Sequence, residues 1–441
     1  MSLTATHDIT SILSRLFSLH RFGIKPGLER TLSLLELLGN PHTQFPAIHV
    51  AGTNGKGSTC SMLAAVLTAA GYKTGLYTSP HIREFNERIR INGQPISDED
   101  IARLALPLLA ESEKAHTTFF EITTAMAFAY FAEQKVDIAV IETGLGGRLD
   151  STNVLSPIVS IITSIDFDHT QYLGLTLGSI AGEKAAIIKP NTPAIVAEPR
   201  AVLRHIFTKR AGEVNAPISF IHDSYSAEIT RWNPDFSMET NIQTPEVKLE
   251  NLKCSVAGNH QIHNILSAVA TLETIKDTFP TDEFELRQGL GNISKLSGLA
   301  ARIELIRDEP PLVIDVGHNP AGLRKLVETL LLSGYPDIGW NIVFGVMADK
   351  NVEEMLDIIK PITAHLYATS PVYDRALPAQ ELSEKAKKIG INNTDTFTSV
   401  ADAVSKAVAS NKPTIITGSF YLADEAIAEL SKYSFGVLKK W

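Results

Sequence analysis

Short apolar segments rich in β-branched residues alternate with longer amphipathic segments along most of the chain. The apolar segment 47–50 leads into a glycine-rich loop, and residues 58–70 beyond that loop have the periodicity of a helix. Further strand patterns occur at 139–141, 158–165 and 194–196, each near a helical stretch. This alternation predicts βαβ units and a mostly parallel sheet that is covered by helices on both faces.

The pattern changes twice towards the C-terminus. Residues 218–253 are interrupted by turn-forming segments around Pro234 and Pro245, which predict a short antiparallel insertion, and helical periodicity returns at 260–275. A second α/β series begins near Arg302. Its predicted strands lie at 312–315, 342–344, 365–367 and 414–416, and its predicted helices lie at 322–332, 352–359 and 399–409.

The small and polar stretch 294–301 separates these two series. A chain of 441 residues is longer than one hydrophobic core usually supports. We therefore expect two α/β domains, residues 1–297 with a mostly parallel sheet and a smaller domain of residues 298–441.

Composition narrows the class of protein. The chain is 44% hydrophobic and 20% charged, which is ordinary for a soluble globular protein. Its two cysteines, Cys60 and Cys254, are too few for a disulfide framework. The N-terminus does not have the pattern of a secretory signal, and no long uncharged apolar stretch indicates a membrane span. We therefore expect a cytoplasmic protein. The net charge of −9 argues against nucleic-acid partners, and it requires any anion site to be built locally from a few positively charged or N–H groups.

The loop 52–58, called the phosphate loop below, is the clearest candidate site. Its glycines allow backbone N–H groups to converge on an anion at a helix N-terminus, and Lys56 adds a positive charge. The common P-loop has Ser or Thr directly after the lysine, whereas Gly57 precedes Ser58 here. The loop predicts nucleotide binding, but it does not by itself separate a kinase or an ATPase from a ligase, and a turn without a ligand is the alternative. The residues expected at the nucleotide are Gly52, Asn54, Gly55, Lys56, Gly57 and Ser58.

Polar side chains also follow or end predicted strands at Ser79, Glu142 and His169. Such residues project from the carboxyl edge of a parallel sheet, where ligands bind in open α/β folds. A hydroxyl, a carboxylate and an imidazole could together hold Mg²⁺, although this ion prefers oxygen ligands. From residue type alone, His169 is more often a helix-entry or core histidine, and Lys184 beside Glu183 is a solvated lysine in an ion pair.

The order of these motifs resembles folylpolyglutamate synthases and dihydrofolate synthases, which are relatives of the Mur peptidoglycan ligases. The lysine–glycine–serine form of the phosphate loop is typical of that family. Because only a short segment precedes Val50, we do not expect the extra N-terminal domain of the Mur enzymes themselves. The segments that carry the resemblance, which span nearly the whole chain, are 52–58, 78–81, 87–89, 142–153, 168–169, 183–185 and 315–320.

The resemblance implies a fold and a set of ligands. The fold is a P-loop domain of the Mur-ligase central type followed by a smaller Rossmann-like α/β domain. ATP and two Mg²⁺ sites are implied, with Lys56, Lys184 and His169 as catalytic residues and Lys184 carbamylated. The chain departs from the family pattern at Ala186 and at 299–301, where other residues are usual. The implied metal ligands are Ser58, Ser79, Glu142, His169 and Lys184, and the further nucleotide contacts are Asn264, Arg302, Asp315 and His318.

The resemblance also implies the reaction, in which ATP activates a carboxylate as an acyl phosphate and L-glutamate attacks it. We expect a monomeric bifunctional enzyme that acts on dihydropteroate and on reduced folates. A folylpolyglutamate synthase alone is the alternative, and a P-loop kinase or ATPase would leave most motifs unexplained. By residue type, Phe119 and Phe120 fit a helix-entry core equally well. The implied substrate contacts are Ile24, Lys25, Pro26, Arg83, Thr118, Phe119, Phe120, Glu121, Leu149, Asp150 and Ser151, with Arg88 and Arg90 near Arg83.

Overall fold

The computed structural model describes residues 8–19, 27–332 and 339–433. Within these ranges the chain forms two compact units. The first unit takes the chain up to Ser226 together with Ile242–Lys248 and His263–Gly298, and the second takes Ala227–Asn241, Leu249–Ile262 and the chain from Leu299 onward.

The first unit is built on an eight-stranded sheet with the order β4-β3-β2-β5-β1-β6-β7-β8. Its six strands from β2 to β8 in this order are parallel, whereas β3 and β4 pair antiparallel at one edge. The strands are β1 (Ala47–Ala51), β2 (Thr74–Tyr77), β3 (Ile89–Ile91), β4 (Gln94–Pro95), β5 (Ile138–Glu142), β6 (Val159–Ile162), β7 (Ala194–Val196) and β8 (Ile218–Phe220).

Helices accompany this sheet, and the helix that begins at Phe119 has a strong N-terminal cap. The cap of α5 is a capping box between Thr118 and Glu121. The helices up to Ser226 are α1 (Ile9–Ser18), α2 (Glu29–Leu37), α3 (Lys56–Ala69), α4 (Asp98–Ala115), α5 (Phe119–Glu133), α6 (Thr170–Leu173), α7 (Leu177–Ala185), α8 (Ala201–Glu213) and α9 (Ile221–Ser224).

Helix α3 lies in the interior of the first unit, since Ser58 through Leu67 are all buried. A Cβ atom at Gly289 would lie 2.5 Å from the Cα of Val66, so the later helix that contains Gly289 packs directly on the backbone of α3. The elements after Ser226 in chain order are a three-stranded sheet of β9 (Ser226–Trp232), β10 (Met238–Gln243) and β11 (Lys248–Cys254), and the helices α10 (Gln261–Ile275), α11 (Glu283–Gly291) and α12 (Ile293–Ser297).

The second unit contains a six-stranded sheet with the order β12-β13-β17-β14-β15-β16. All its pairs are parallel except β12 with β13. Its strands are β12 (Glu304–Arg307), β13 (Leu312–Ile314), β14 (Trp340–Phe344), β15 (Thr363–Ala368), β16 (Thr394–Thr396) and β17 (Thr414–Thr417), and its helices are α13 (Pro320–Leu332), α14 (Val352–Ile359), α15 (Ala379–Lys388), α16 (Val400–Ala409) and α17 (Phe420–Leu430).

The predicted fold class, two parallel-rich α/β sheets in succession, is confirmed. Two local predictions differ. Helical periodicity predicts a helix over residues 177–188, but α7 ends at Ala185. The stretch 294–301, expected to separate the two series, is occupied in its first part by α12. In the described part of the chain, no helix combines the length and hydrophobicity needed to cross a membrane.

Candidate active site

The phosphate loop connects β1 to α3, and its glycines are required by close approach as well as by conformation. Gly52 and Gly55 have φ angles of +156° and +92°. A Cβ atom at Gly52 would lie 1.7 Å from Oγ1 of Thr163, and one at Gly55 would lie 2.4 Å from Oδ1 of Asn264. Any side chain at either position would therefore displace the loop.

Two side-chain hydrogen bonds fix the backbone of the phosphate loop just before α3. The hydroxyls of Thr163 and Ser164 donate to the Asn54 carbonyl oxygen at 2.9 and 3.0 Å. Gly55 is the N-cap of α3, and it has no side chain to cap the first N–H groups of that helix. Free N–H groups and the helix dipole at this end favour an anion such as a phosphate.

The side chain of Lys56 extends from the phosphate loop towards the end of β5. Its Nζ is 3.2 Å from the Thr53 carbonyl oxygen and 3.9 Å from Oε1 of Glu142. The other carboxylate oxygen of Glu142 accepts the Ser79 N–H at 3.0 Å. Three predicted site residues that follow or end separate strands are thus brought together at the carboxyl edge of the sheet, namely Lys56 after β1, Ser79 after β2 and Glu142 at the end of β5.

Lys184 is buried, with only 4% of its surface exposed, which excludes a solvated lysine. Its Nζ donates to the Gly52 carbonyl oxygen at 2.7 Å. Glu183 points elsewhere and binds Arg148 at 2.9 Å. Burial first, and the charge of Lys56 second, lower the pKa of Lys184 from 10.5 to about 7. A large fraction of this amine is consequently neutral near pH 7, the form that reacts with carbon dioxide.

His169 stands at the N-cap of α6 with a φ angle of +49°. Its side chain is 42% exposed, and Nε2 lies 3.9 Å from Oδ2 of Asp168. Among the described residues there is no group of three His, Cys, Asp or Glu side chains placed to hold a metal. The oxygens of Ser58, Ser79 and Glu142 nevertheless fit Mg²⁺, which commonly keeps water and phosphate oxygens as most of its ligands.

Glu121, in one of the segments assigned to the pterin end of the substrate, is bound through both of its carboxylate oxygens. Oε1 of Glu121 accepts from Nε of Arg30 at 2.8 Å, and Oε2 accepts the Thr118 N–H at 2.6 Å. The Glu121 side chain is only 3% exposed, so the Arg30 cation compensates a buried carboxylate. The candidates Ile24, Lys25 and Pro26 lie outside the described residues.

The two phenylalanines at the start of α5 have different surroundings. Phe119 is buried in the core and stacks on Phe17 with ring centroids 5.6 Å apart. Phe120 is half-buried, and a Cβ atom at Gly144 would lie 2.4 Å from its Cζ. Phe120 is therefore the ring that borders the glycine-containing loop after β5, whereas Phe119 matches the core interpretation.

Residues 144–150, called the glycine loop below, end at Asp150, which is 5% exposed. Its Oδ2 accepts the Leu145 N–H at 2.7 Å, and its Oδ1 accepts the Thr152 N–H at 3.0 Å. Leu149 is half-buried, and Ser151 begins a short 3₁₀ helix, Ser151–Val154. The Asp150 carboxylate thus organises the backbone of the loop that carries the third set of substrate candidates.

The arginines expected to attract a dicarboxylate are engaged to different degrees. Arg88 donates from Nε to Nδ1 of His81 at 2.7 Å. Arg90 donates to the carbonyl oxygens of Glu87 and Gly93 at 3.2 and 3.0 Å. Arg83 is half-buried, and its Nε has no hydrogen-bond partner in the part of the chain described. Arg83 is thus the member of this group best placed to bind a substrate anion.

The remaining nucleotide candidates fall in both units. In the first, Oδ1 of Asn264 accepts from Thr59 Oγ1 at 3.3 Å beside Gly55. In the second, Asp315 follows β13 and accepts the Gly317 N–H at 2.7 Å, and burial raises its pKa.

Two further nucleotide candidates of the second unit, Arg302 and His318, both lie against the ring of Phe420. The Arg302 guanidinium lies 5.3 Å from the Phe420 ring centroid, and the His318 ring centroid lies 5.5 Å from it. Both candidates therefore meet at the carboxyl edge of β13 and β17 in this unit.

Glu87 and His49 help to organise this site, although neither is among the predicted site residues. Glu87 accepts the N–H groups of Ile82, Arg83 and Glu84 and so shapes the loop that carries Arg83. His49 is a polar residue in an otherwise apolar strand. That interruption of the apolar pattern was the available signal for His49, whereas Glu87 lay inside a recognised motif with no separate signal.

Two family models together match most of the chain. The Mur ligase middle domain matches residues 50–272, and the Mur ligase glutamate ligase domain matches residues 301–420. A dihydrofolate synthase/folylpolyglutamate synthase of Bacillus subtilis is 36% identical over 421 residues, covering 92% of this chain and 95% of the relative. The crystal structure of a Thermotoga maritima folylpolyglutamate synthase superposes with a TM-score of 0.85 at 33% identity, covering 98% of this chain and 99% of that one.

A second solved structure has ligands. An Escherichia coli protein in complex with DHPP and ADP has a TM-score of 0.84 at 30% identity, covering 96% of this chain and 98% of that one. Fold and site together define an ATP-dependent ligase of the Mur type that joins a carboxylate to an amine. Within that class, the chain belongs to the folylpolyglutamate synthase/dihydrofolate synthase family.

Proposed function

We propose that this ligase adds L-glutamate both to dihydropteroate and to reduced folates, through an acyl phosphate. The structural observation that carries the proposal is the hydrogen bond from the buried Lys184 amine to the Gly52 carbonyl oxygen. This bond brings the family motif 183–185 into contact with the phosphate loop, 52–58. The bifunctional names of relatives from Bacillus subtilis, Haemophilus influenzae and Escherichia coli support both substrates.

In the first step, a carboxylate oxygen of the pteroate or folate attacks the γ-phosphorus of ATP, and ADP leaves. Lys56 and the N–H groups at the start of α3 balance the negative charge of the phosphates and hold them in line. The acyl phosphate is prone to hydrolysis, so exclusion of water is part of the catalysis.

In the second step, the α-amino group of glutamate attacks the acyl carbon. The tetrahedral intermediate loses phosphate as its C–O bond breaks, and the nitrogen gives up a proton to leave an amide. We assign Arg83 to an anionic group of the substrate, because its Nε has no hydrogen-bond partner among the described residues. We assign Phe120 to the pterin ring, because it is the half-buried member of the phenylalanine pair. The other pterin contacts proposed are Ile24, Lys25, Pro26, Thr118, Phe119, Glu121, Leu149, Asp150 and Ser151.

Mg²⁺ ions would neutralise phosphate charge in this site. We propose two positions, one near Ser58 and one near Lys184 as its carbamate. The carbamate forms when the neutral amine attacks carbon dioxide and releases a proton, and its oxygens suit a hard cation. The full set of ligands proposed is Ser58, Ser79, Glu142, His169 and carbamylated Lys184.

We retain Arg302, Asp315 and His318 as nucleotide contacts supplied by a C-terminal domain of residues 298–441, and Asn264 as a contact from the first 297 residues. We also propose a monomer that acts in the reducing cytoplasm on small molecules alone. Cys60 and Cys254 are both free and buried, in agreement with that compartment.

The substrate assignment predicts a defined product mass. Purified protein is incubated with ATP, Mg²⁺ and L-glutamate, with dihydropteroate in one reaction and a reduced folate in another, and products are identified by mass spectrometry. We expect one added glutamyl residue on dihydropteroate and at least one on the folate, and none when ATP is omitted. Addition to the folate alone would identify a folylpolyglutamate synthase. Consumption of ATP without any glutamyl addition would contradict the proposal.

A further inference from the structure

His49 is a buried histidine in the middle of β1, the strand that leads into the phosphate loop, and the mechanism above gives it no role. All five residues of this strand are buried, and the accessible surface of His49 is 0%. Its neighbours Ile48 and Val50 are the residue types expected in a parallel strand covered on both faces. A buried histidine needs hydrogen-bond partners for its ring nitrogens. Nε2 of His49 is hydrogen-bonded to Oγ1 of Thr152 at 2.8 Å.

The directions of the hydrogen bonds determine where the imidazole proton lies. The Thr152 hydroxyl donates to Oδ1 of Asp150, which leaves its oxygen to accept from His49. Nε2 of His49 therefore carries the proton. Nδ1 is buried and has no hydrogen-bond partner among the described residues, as suits an unprotonated nitrogen. Burial, together with the charge of Lys189, lowers the pKa of His49 to about 3, so that the ring is neutral.

The Asp150 carboxylate connects the hydrogen bond between His49 and Thr152 to the glycine loop. While Oδ1 accepts from both the hydroxyl and the N–H of Thr152, Oδ2 accepts the Leu145 N–H at 2.7 Å. A rotation of the carboxylate would break bonds on both sides at once. The chain from His49 through Thr152 to Asp150 thus connects the strand before the phosphate loop to the backbone at the start of the glycine loop.

The glycine loop has little room to move without affecting its neighbours. A Cβ atom at Gly144 would lie 2.4 Å from Cζ of Phe120, and one at Gly147 would lie 2.6 Å from the Glu183 carbonyl oxygen. The loop therefore packs on the ring assigned to the pterin and on the residue before Lys184. The Asp150 carboxylate binds the N–H of Leu145, the residue directly after Gly144, so a change in its position acts first on the contact between Gly144 and Phe120.

We propose that His49 is a positioning residue that, as a neutral Nε2–H donor, fixes Asp150 through Thr152 and so sets the affinity for the pterin end of the substrate. This inference rests on the proposed function, because it assigns the pterin to Phe120 and the glycine loop. Its effect is on the KM for dihydropteroate, with little effect on the KM for ATP.

Two pairs of variants test the hydrogen-bond chain. His49→Leu and Thr152→Val remove a donor with little change in volume, whereas His49→Gln and Thr152→Ser keep one. We expect the first two to raise the KM for dihydropteroate about tenfold and to leave the KM for ATP within about twofold, because residues that orient a ligand-binding group typically act on this scale. We expect the second two to remain near the wild type. Thermal unfolding of all four shows which of them fold.

A purely structural role would give a different pattern, and it would overturn the inference. In that case Gln and Leu at position 49 would act alike, or both KM values would rise together in proportion to lost stability. ¹⁵N NMR of the histidine side chains supplies a readout that is independent of turnover. We expect a neutral Nε2–H ring for His49 from pH 6 to 8, and a titrating or Nδ1–H ring would refute the chain. Failure of ligation by the wild-type protein would instead contradict the proposed function.

Discussion

Replacement of Lys56 by alanine should lower ATP-dependent turnover about 1,000-fold or more, the scale on which single charge-stabilising groups act in phosphoryl transfer. The Lys56 ammonium belongs to the phosphate loop itself, and the side chain is only 16% exposed. Water cannot replace it efficiently, because a solvated position must reorganise as charge develops. Initial rates of ADP release at saturating substrate measure the loss.

The matched control is Lys209→Ala, which removes an exposed lysine from α8. The side chain of Lys209 is 78% exposed, and its ion pair with Glu213 spans 4.0 Å, so little stability or activity depends on it. Circular dichroism and thermal unfolding should show that both variants are folded. Turnover by Lys56→Ala within about tenfold of the control would remove the phosphate loop from its proposed catalytic role.

Replacement of Lys184 by alanine should lower turnover about 100-fold or more, because it removes a proposed oxygen ligand and opens a buried site. Chemical rescue separates the two states of the lysine. If the carbamate is the active form, a small carboxylate such as formate restores part of the activity of Lys184→Ala. Restoration by methylamine and not by formate would show that the amine itself acts. Wild-type activity without rescue would exclude any catalytic role for Lys184.

The lowered pKa of Lys184 gives this role a pH dependence. With a pKa of about 7, the neutral amine is the minor form at pH 6 and the major form at pH 8. An ordinary lysine at 10.5 would be neutral in only about one molecule in 3,000 at pH 7. Incorporation of ¹³C from labelled bicarbonate into a carbamate should therefore rise between pH 6 and 8. It should be absent in Lys184→Arg, where the side chain stays charged.

The main sheets were predictable because parallel strands buried on both faces are continuous apolar segments in the sequence. Strand β5, Ile138–Glu142, is buried at every residue and stood out for that reason. The antiparallel edge was not predictable in the same way. Strands β3 and β4 contain three and two residues, too few to establish a period, and β3 contains an arginine at its centre.

The site was only partly predictable, because topology locates residues at strand ends whereas burial and long-range pairing depend on tertiary contacts. Glu142 ends a strand, so topology alone places it at the carboxyl edge of the sheet. Burial of Lys184 depends on tertiary contacts such as the approach of Gly147, where a Cβ atom would lie 3.0 Å from the Cα of Lys184. By residue type Lys184 was a surface lysine, and the resemblance to a family supplied the opposite interpretation. The pairing of Arg30 with Glu121 across 91 positions had no local signal.

Transfer of oxygen from the substrate to phosphate tests the central claim, amide formation through an acyl phosphate, most directly. Dihydropteroate labelled with ¹⁸O in both carboxylate oxygens is incubated with the protein, ATP, Mg²⁺ and L-glutamate, and the phosphorus products are analysed by mass spectrometry. We predict ADP and inorganic phosphate that carries one ¹⁸O atom for each amide formed, while the amide keeps the other. Labelled AMP with pyrophosphate, or unlabelled phosphate released with the amide, would contradict an acyl phosphate.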